Sequence, residues 1–162
     1  MSRAADRILE RAEAIREVAT WRAAGERVVL ANGVFDLLHV GHVRYLAGAR
    51  SLGTRLVVGV NGDRSTAAIK GAGRPLCGQR DRAALVAALK GVDRVVIFEE
   101  STVDALLREL RPAVHAKGTD YREDTVPERA TVRELGGTTA ITGDAKSHAT
   151  RDLVERVRHR AG

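Results

Sequence analysis

Short aliphatic runs alternate with amphipathic stretches along the whole of this 162-residue chain. Residues 4–24 carry Ile8, Leu9, Ala12, Ile15, Val18 and Ala19 at helical spacing and are followed by Gly25, which predicts one amphipathic helix. Val28, Val29, Leu30 and Ala31 read as a buried strand, residues 43–50 as a helix stopped near Gly53, and residues 55–60 as a second strand. A polar, glycine-containing stretch from Asn61 to Gly78 reads as a loop. Beyond it the pattern predicts a helix over 79–90, a strand over 94–98, a helix over 102–110 capped by Ser101 or Thr102, and a strand over 113–116. A helix over 126–135, a strand over 138–141 and a closing helix over 150–160 complete the pattern. Strands that are continuous apolar runs separated by helices indicate a parallel sheet covered on both faces. The expected fold is therefore α/β, a doubly wound parallel sheet of five strands. An N-terminal helix within 1–25 packs on a single domain over 26–162, and the ligand sits at the carboxyl ends of the strands near the switch point.

Composition narrows the class. Hydrophobic residues make up 44% and charged residues 30%, as in a folded globular chain and unlike a disordered one. No apolar run approaches the ~18 residues of a membrane span, and the N-terminus mixes charge with aliphatics, so no membrane role is expected. A single cysteine, Cys77, excludes an internal disulfide and any CxxC motif, which fits a reducing, cytoplasmic setting. The net charge of +6 invites a nucleic-acid reading. Aromatics, however, are only 3%, too few for base-stacking platforms, and the arginine excess is dispersed along the chain. No nucleic-acid partner is expected, and a small anionic substrate suits the charge at least as well.

Several α/β chemistries are absent from the sequence. There is no Gly-Lys dipeptide and hence no Walker A loop, no GxGxxG after the first strand, and neither GxSxG nor HExxH. The first strand instead runs into Asn32-Gly33-Val34-Phe35-Asp36-Leu37-Leu38-His39-Val40-Gly41-His42. Gly33 lets the backbone leave the strand open to a close ligand, and two histidines three apart flank Gly41 at the start of a helix. A helix N-terminus offers unpaired N–H groups and partial positive charge, and two imidazoles add donors that follow charge as it grows on phosphate oxygens. As a bare HxxH the pair would read as a surface or core pair, or as two ligands of a metal that lacks a well-placed third ligand other than Asp36. Placed directly between strand one and a helix, it reads as a phosphate site.

The segment resembles the GxFDxxHxGH signature of the cytidylyltransferase-like nucleotidyltransferases, relatives of the class I aminoacyl-tRNA synthetases. Val60-Asn61-Gly62-Asp63, Lys70-Gly71-Ala72-Gly73-Arg74-Pro75, Gln79-Arg80, Val92-Asp93 and Lys117-Gly118-Thr119-Asp120-Tyr121 resemble successive blocks of one subfamily. That subfamily is the D-glycero-β-D-manno-heptose 1-phosphate adenylyltransferases of lipopolysaccharide core synthesis, and the resemblance runs from about Trp21 to the C-terminus. It implies a Rossmann-like fold and transfer of AMP from ATP to the heptose phosphate, with Mg²⁺ carried in by ATP and pyrophosphate released. The kinase domain often fused to this activity is absent, so the resemblance implies a stand-alone form with a separate heptose kinase. It also leaves room for a homodimer. A late block that usually reads like Ser-Thr-Thr is here His148-Ala149-Thr150-Arg151.

The same resemblance implies roles. His39, His42, Lys70 and Arg80 are implied as catalytic, and Gly33, Val34, Phe35, Gly41, Asp120 and Thr150 as nucleotide-binding. Asp36, Asn61 and Lys117 are implied on the sugar phosphate. Bland readings stand beside several of these. Lys70 in a Gly-flanked loop reads equally as a mobile exposed lysine, Asp120 as a turn former, and Asp36 as a helix cap. Arg80, in the first turn of a helix whose apolar face is Leu85, Val86 and Leu89, is unfavourable for the helix dipole unless an anion compensates. Trp21 is expected to pack the N-terminal helix or support a dimer contact, Cys77 to be an incidental thiol, and His115 to be a core residue. The rival readings are a glycerol-3-phosphate or other polyol-phosphate cytidylyltransferase, an inactive nucleotide-binding module and an RNA-binding domain.

Overall fold

Each aliphatic run becomes a strand of one parallel sheet in the structure, a computed structural model that describes residues 3–145 and 150–160. In chain order the elements are β1 (Ile8–Leu9), α1 (Arg11–Ala23), β2 (Val28–Gly33), α2 (Val40–Ser51), β3 (Arg55–Asn61), α3 (Asp63–Lys70) and α4 (Gln79–Ala87). These are followed by β4 (Arg94–Phe98), α5 (Asp104–Leu110), β5 (Val114–Gly118), α6 (Arg129–Glu134), β6 (Thr138–Thr142) and α7 (Thr150–Arg160). The sheet order is β1-β4-β3-β2-β5-β6, and every strand pair is parallel.

Six strands stand where five were expected. The extra one comes from the N-terminal segment, in which Ala4–Arg7 form a 3-10 turn and Ile8 and Leu9 pair with Val95 and Val96 at the sheet edge. Helical spacing there is overridden by backbone pairing to β4, and the helix proper begins at Arg11. A second difference is α3, inside the stretch that read as loop. Its inward face carries Ser65 and Thr66, whose hydroxyls donate to Gly62 O and Asn61 O, so no apolar stripe announces it.

Two cores sandwich the sheet. On one face Tyr45, Leu46 and Ala49 of α2 and Ala83, Val86 and Ala87 of α4 cover Val29, Ala31, Val58 and Val60. Leu85, expected on that inward face, is 48% exposed, because α4 turns Arg82, Ala83, Val86 and Ala87 inward instead. On the other face Ala14 and Val18 of α1, Leu106, Leu107 and Leu110 of α5 and Val132 of α6 cover Leu30, Val57 and Val96. Trp21 packs against this second core and lies beneath the guanidinium groups of Arg55 and Arg94.

Because β3 and β4 lie on one side of β2 and β5 and β6 on the other, the chain reverses its winding direction between β2 and β5. That is where an open α/β sheet leaves a crevice at its carboxyl edge. The hydroxyl of Tyr45 bridges the two strands there, donating to Ala116 O at 2.7 Å and accepting from the Asn32 N–H at 3.3 Å. Burial pushes its pKa up, so it stays a neutral strut.

Candidate active site

The segment leaving β2 is tightly built. A Cβ on Gly33 would lie 3.1 Å from Cε2 of Phe35, so the glycine makes room for that ring. Phe35 takes a left-handed backbone conformation with φ 51°, uncommon for a bulky residue and sustained here by its packing. Its buried ring meets His42 edge-on at 5.2 Å and stacks on Tyr45 at 6.5 Å. Phe35 thus shapes the site from beneath.

His39 is the N-cap of α2, and its Nδ1 accepts from the Gly41 N–H at 3.1 Å. The N–H of His39 in turn donates to Nδ1 of His42 at 3.3 Å, and the two rings stack 3.9 Å apart. This is a capping box made of two imidazoles. An Nδ1 that accepts a backbone hydrogen bond carries no proton, so each neutral ring holds its proton on Nε2 and offers that N–H as a donor. Burial, reinforced by the neighbouring His39 imidazole, lowers the pKa of His42 to about 4, so His42 is neutral near pH 7. Asp120 favours its protonation and Lys70 opposes it, which places both charges around the same ring. The fold therefore gathers His39, His42, Lys70 and Asp120, which lie far apart along the chain apart from the histidine pair. Both Lys70, at the end of α3, and Asp120, in the turn after β5, are exposed.

Asp36, implied on the sugar phosphate, also has its carboxylate engaged within the protein. It is 3% exposed, with Oδ1 accepting the Leu76 and Cys77 N–H groups at 2.8 and 3.0 Å and Oδ2 accepting Arg74 Nε at 2.6 Å. It caps no helix; it ties loop 71–78 to the signature segment. Arg82 makes the matching tie from below. Wholly buried, it donates to Val34 O at 2.6 Å, Cys77 O at 2.9 Å and Asp63 Oδ1 at 2.8 Å. Sequence reasoning singled out Arg80, which lies exposed on the first turn of α4 with no ion pair among the described residues. The signal for Arg82 was present, since it stands four residues before Val86 on the inward face.

At the switch point, Asn61 is buried at the end of β3 and donates from Nδ2 to Ser65 Oγ at 3.4 Å. Lys117 is 7% exposed, with Nζ 3.9 Å from Glu128 Oε2 and 4.6 Å from the centre of the Tyr121 ring. Burial lowers the pKa of Lys117, and Glu128 works against that shift. Neither Glu128 nor the contact of His115 with Asn32, 2.8 Å between Nε2 and Oδ1, was foreseen from sequence. Of the late block, His148 and Ala149 lie outside the described residues, as does the side chain of Thr150, whose backbone begins α7. Among the described residues no three His, Cys, Asp or Glu side chains converge on a point that would hold a metal ion, and no helix is long and apolar enough to cross a membrane.

A doubly wound sheet with paired imidazole donors at a helix N-terminus beside its switch point defines a nucleotide-binding domain built for phosphate chemistry. The chain belongs to the cytidylyltransferase-like family, whose pattern matches residues 30–157. It is 48% identical over 152 residues to the bifunctional protein HldE of Magnetococcus marinus and 44% identical over 153 residues to that of Methylobacillus flagellatus. Each alignment covers 94% of this chain and 31% of the relative, so the chain spans about a third of their length. A crystal structure of the lipopolysaccharide core biosynthesis protein from Thermoplasma volcanium superposes with a TM-score of 0.64 at 33% identity, covering 75% of this chain and all of that one. The family makes the chain a nucleotidyltransferase.

Proposed function

We propose that the protein transfers AMP from ATP to D-glycero-β-D-manno-heptose 1-phosphate, giving ADP-heptose and pyrophosphate. The observation that carries the catalytic part is the reciprocal capping of His39 and His42, which orients both neutral rings at the start of α2 with the proton on Nε2. The sugar choice rests on the subfamily blocks of the sequence, with support from the similarity to HldE proteins and to a lipopolysaccharide core biosynthesis protein.

In this reading a phosphate oxygen of the sugar attacks the α-phosphorus in line, the new P–O bond forms as the bond to pyrophosphate breaks, and no enzyme-bound intermediate arises. Such a step asks for positioning and charge stabilisation rather than a nucleophilic side chain. His39 and His42 donate to oxygens of the reacting phosphates, and, being neutral, they require no proton transfer. Lys70 closes over the leaving phosphates. Magnesium enters on the triphosphate, held by phosphate oxygens and water. Asp120 and Lys117 line the nucleotide and sugar subsites at the end of β5. A kinase supplies the sugar phosphate, and the enzyme works in the cytoplasm.

Pyrophosphate release in four pairings, ATP or CTP with the heptose phosphate or glycerol 3-phosphate, tests the reading. Turnover with ATP and the heptose phosphate alone is the expected result. Turnover with CTP and glycerol phosphate would overturn the substrate assignment.

A further inference from the structure

His115 is a fully buried histidine that the proposed reaction does not use. It lies in the middle of β5, abreast of Leu30 of β2 and Thr139 of β6, and its neighbour on the same sheet face is Lys117. Its Nε2 stands 2.8 Å from Oδ1 of Asn32, while Nδ1 has no partner among the described residues. A carboxamide oxygen only accepts, so His115 donates and is fixed as the Nε2–H tautomer. Burial, with the nearby Lys117 charge adding to it, lowers the His115 pKa to about 3, so the donor persists near neutral pH; Asp104 opposes the shift. Burying an imidazole with one unpaired nitrogen is unfavourable, and a residue kept there for packing alone would be better replaced by an aliphatic one.

The consequence falls on Asn32. It is the penultimate residue of β2, immediately before Gly33, with its backbone held by Tyr45 at the switch point. With Oδ1 turned to His115, its NH₂ group is left with no acceptor among the described residues, although the residue is only half-buried. We infer that His115 is a positioning residue that orients the Asn32 carboxamide so that its NH₂ donates to a hydroxyl or ring oxygen of the sugar-phosphate acceptor in the crevice between β2 and β5. This rests on the acceptor being a sugar phosphate. Beside it Lys117 supplies a charged donor on the same face of β5, so a neutral donor and a charged one stand together, a combination suited to a polyol that carries a phosphate.

The test is steady-state kinetics of the full chain with each substrate varied in turn. Asn32→Ala should raise KM for the sugar phosphate roughly tenfold, the loss of one hydrogen bond, and leave the nucleotide KM within about twofold. His115→Leu should reproduce that pattern, and His115→Gln, which keeps a side-chain N–H, should restore most of the wild-type value. Because His115 acts through Asn32, the double variant should be no worse than Asn32→Ala alone. Additive losses, an equal rise in the nucleotide KM, or an unchanged sugar KM in Asn32→Ala would overturn the proposal. Should His115→Leu fail to fold, Asn32→Ala and His115→Gln carry the comparison. A wild-type protein that leaves the sugar phosphate untouched would instead overturn the reading beneath the proposal, and the proposal with it.

Discussion

The backbone N–H of His39 donates to Nδ1 of His42 at 3.3 Å, so the first histidine of the signature fixes the ring of the second. His39 is itself fixed by the Gly41 N–H. Replacing His42 by alanine should lower kcat by a factor on the order of 10² to 10³, the range for loss of one positioned donor to developing charge. Nucleotide KM should move far less. His39→Ala should show a comparable loss in rate together with a helix-cap loss of about 1 kcal/mol. Rate assays paired with denaturant unfolding separate the two variants.

Two arginines two residues apart make a sharper contrast. Arg82→Ala removes a wholly buried guanidinium, leaves Val34 O and Cys77 O without their donor and breaks the pair with half-exposed Asp63, and should cost about 3 kcal/mol of stability. Arg82→Lys should recover little of it, because an ammonium does not reproduce the planar fork that reaches Val34 O, Cys77 O and Asp63 together. Arg80→Ala, on an exposed turn, should change stability by less than about 0.5 kcal/mol. If Arg80 touches phosphate, as its sequence context implies, its loss will show in nucleotide affinity instead. Equilibrium unfolding and nucleotide titration of both variants check this.

Acid should destabilise the protein earlier than its carboxylates require. His42 and His115 have folded pKa values lowered to about 4 and about 3, against an ordinary value of 6.5. Between those values the unfolded chain binds protons that the folded one refuses. The stability is therefore full above about pH 6.5 and is lost as pH falls, by up to about 1.4 kcal/mol per pH unit for each histidine. Thermal midpoints measured from pH 7 to pH 4 should fall steadily, and His115→Gln should flatten the slope.

Much of the fold was legible because parallel strands buried on both faces are apolar runs, as in Arg94–Phe98, read to the residue; the edge strand Thr138–Thr142, part-exposed and rich in β-branched residues, was read within one. The signature after β2 led directly to His39, His42 and the start of α2. Three features were not legible. β1 is two residues long, and its identity comes from pairing with β4 rather than from its own pattern. α3 buries Ser65 and Thr66 and leaves Ile69 exposed, so its apolar positions do not mark its inward face. The buried polar groups are the third: Arg82 takes its meaning from Asp63, 19 residues away, and Asn32 from His115, 83 residues away, separations over which local sequence carries no signal.

The most direct test of the site's chemistry is the protonation of the two signature imidazoles, read by long-range ¹H–¹⁵N NMR at pH 7 with and without ATP and Mg²⁺. The geometry predicts both rings neutral with the proton on Nε2, and both Nε2–H resonances moving when nucleotide binds. A ring protonated on both nitrogens, a proton on Nδ1, or resonances indifferent to nucleotide would contradict it.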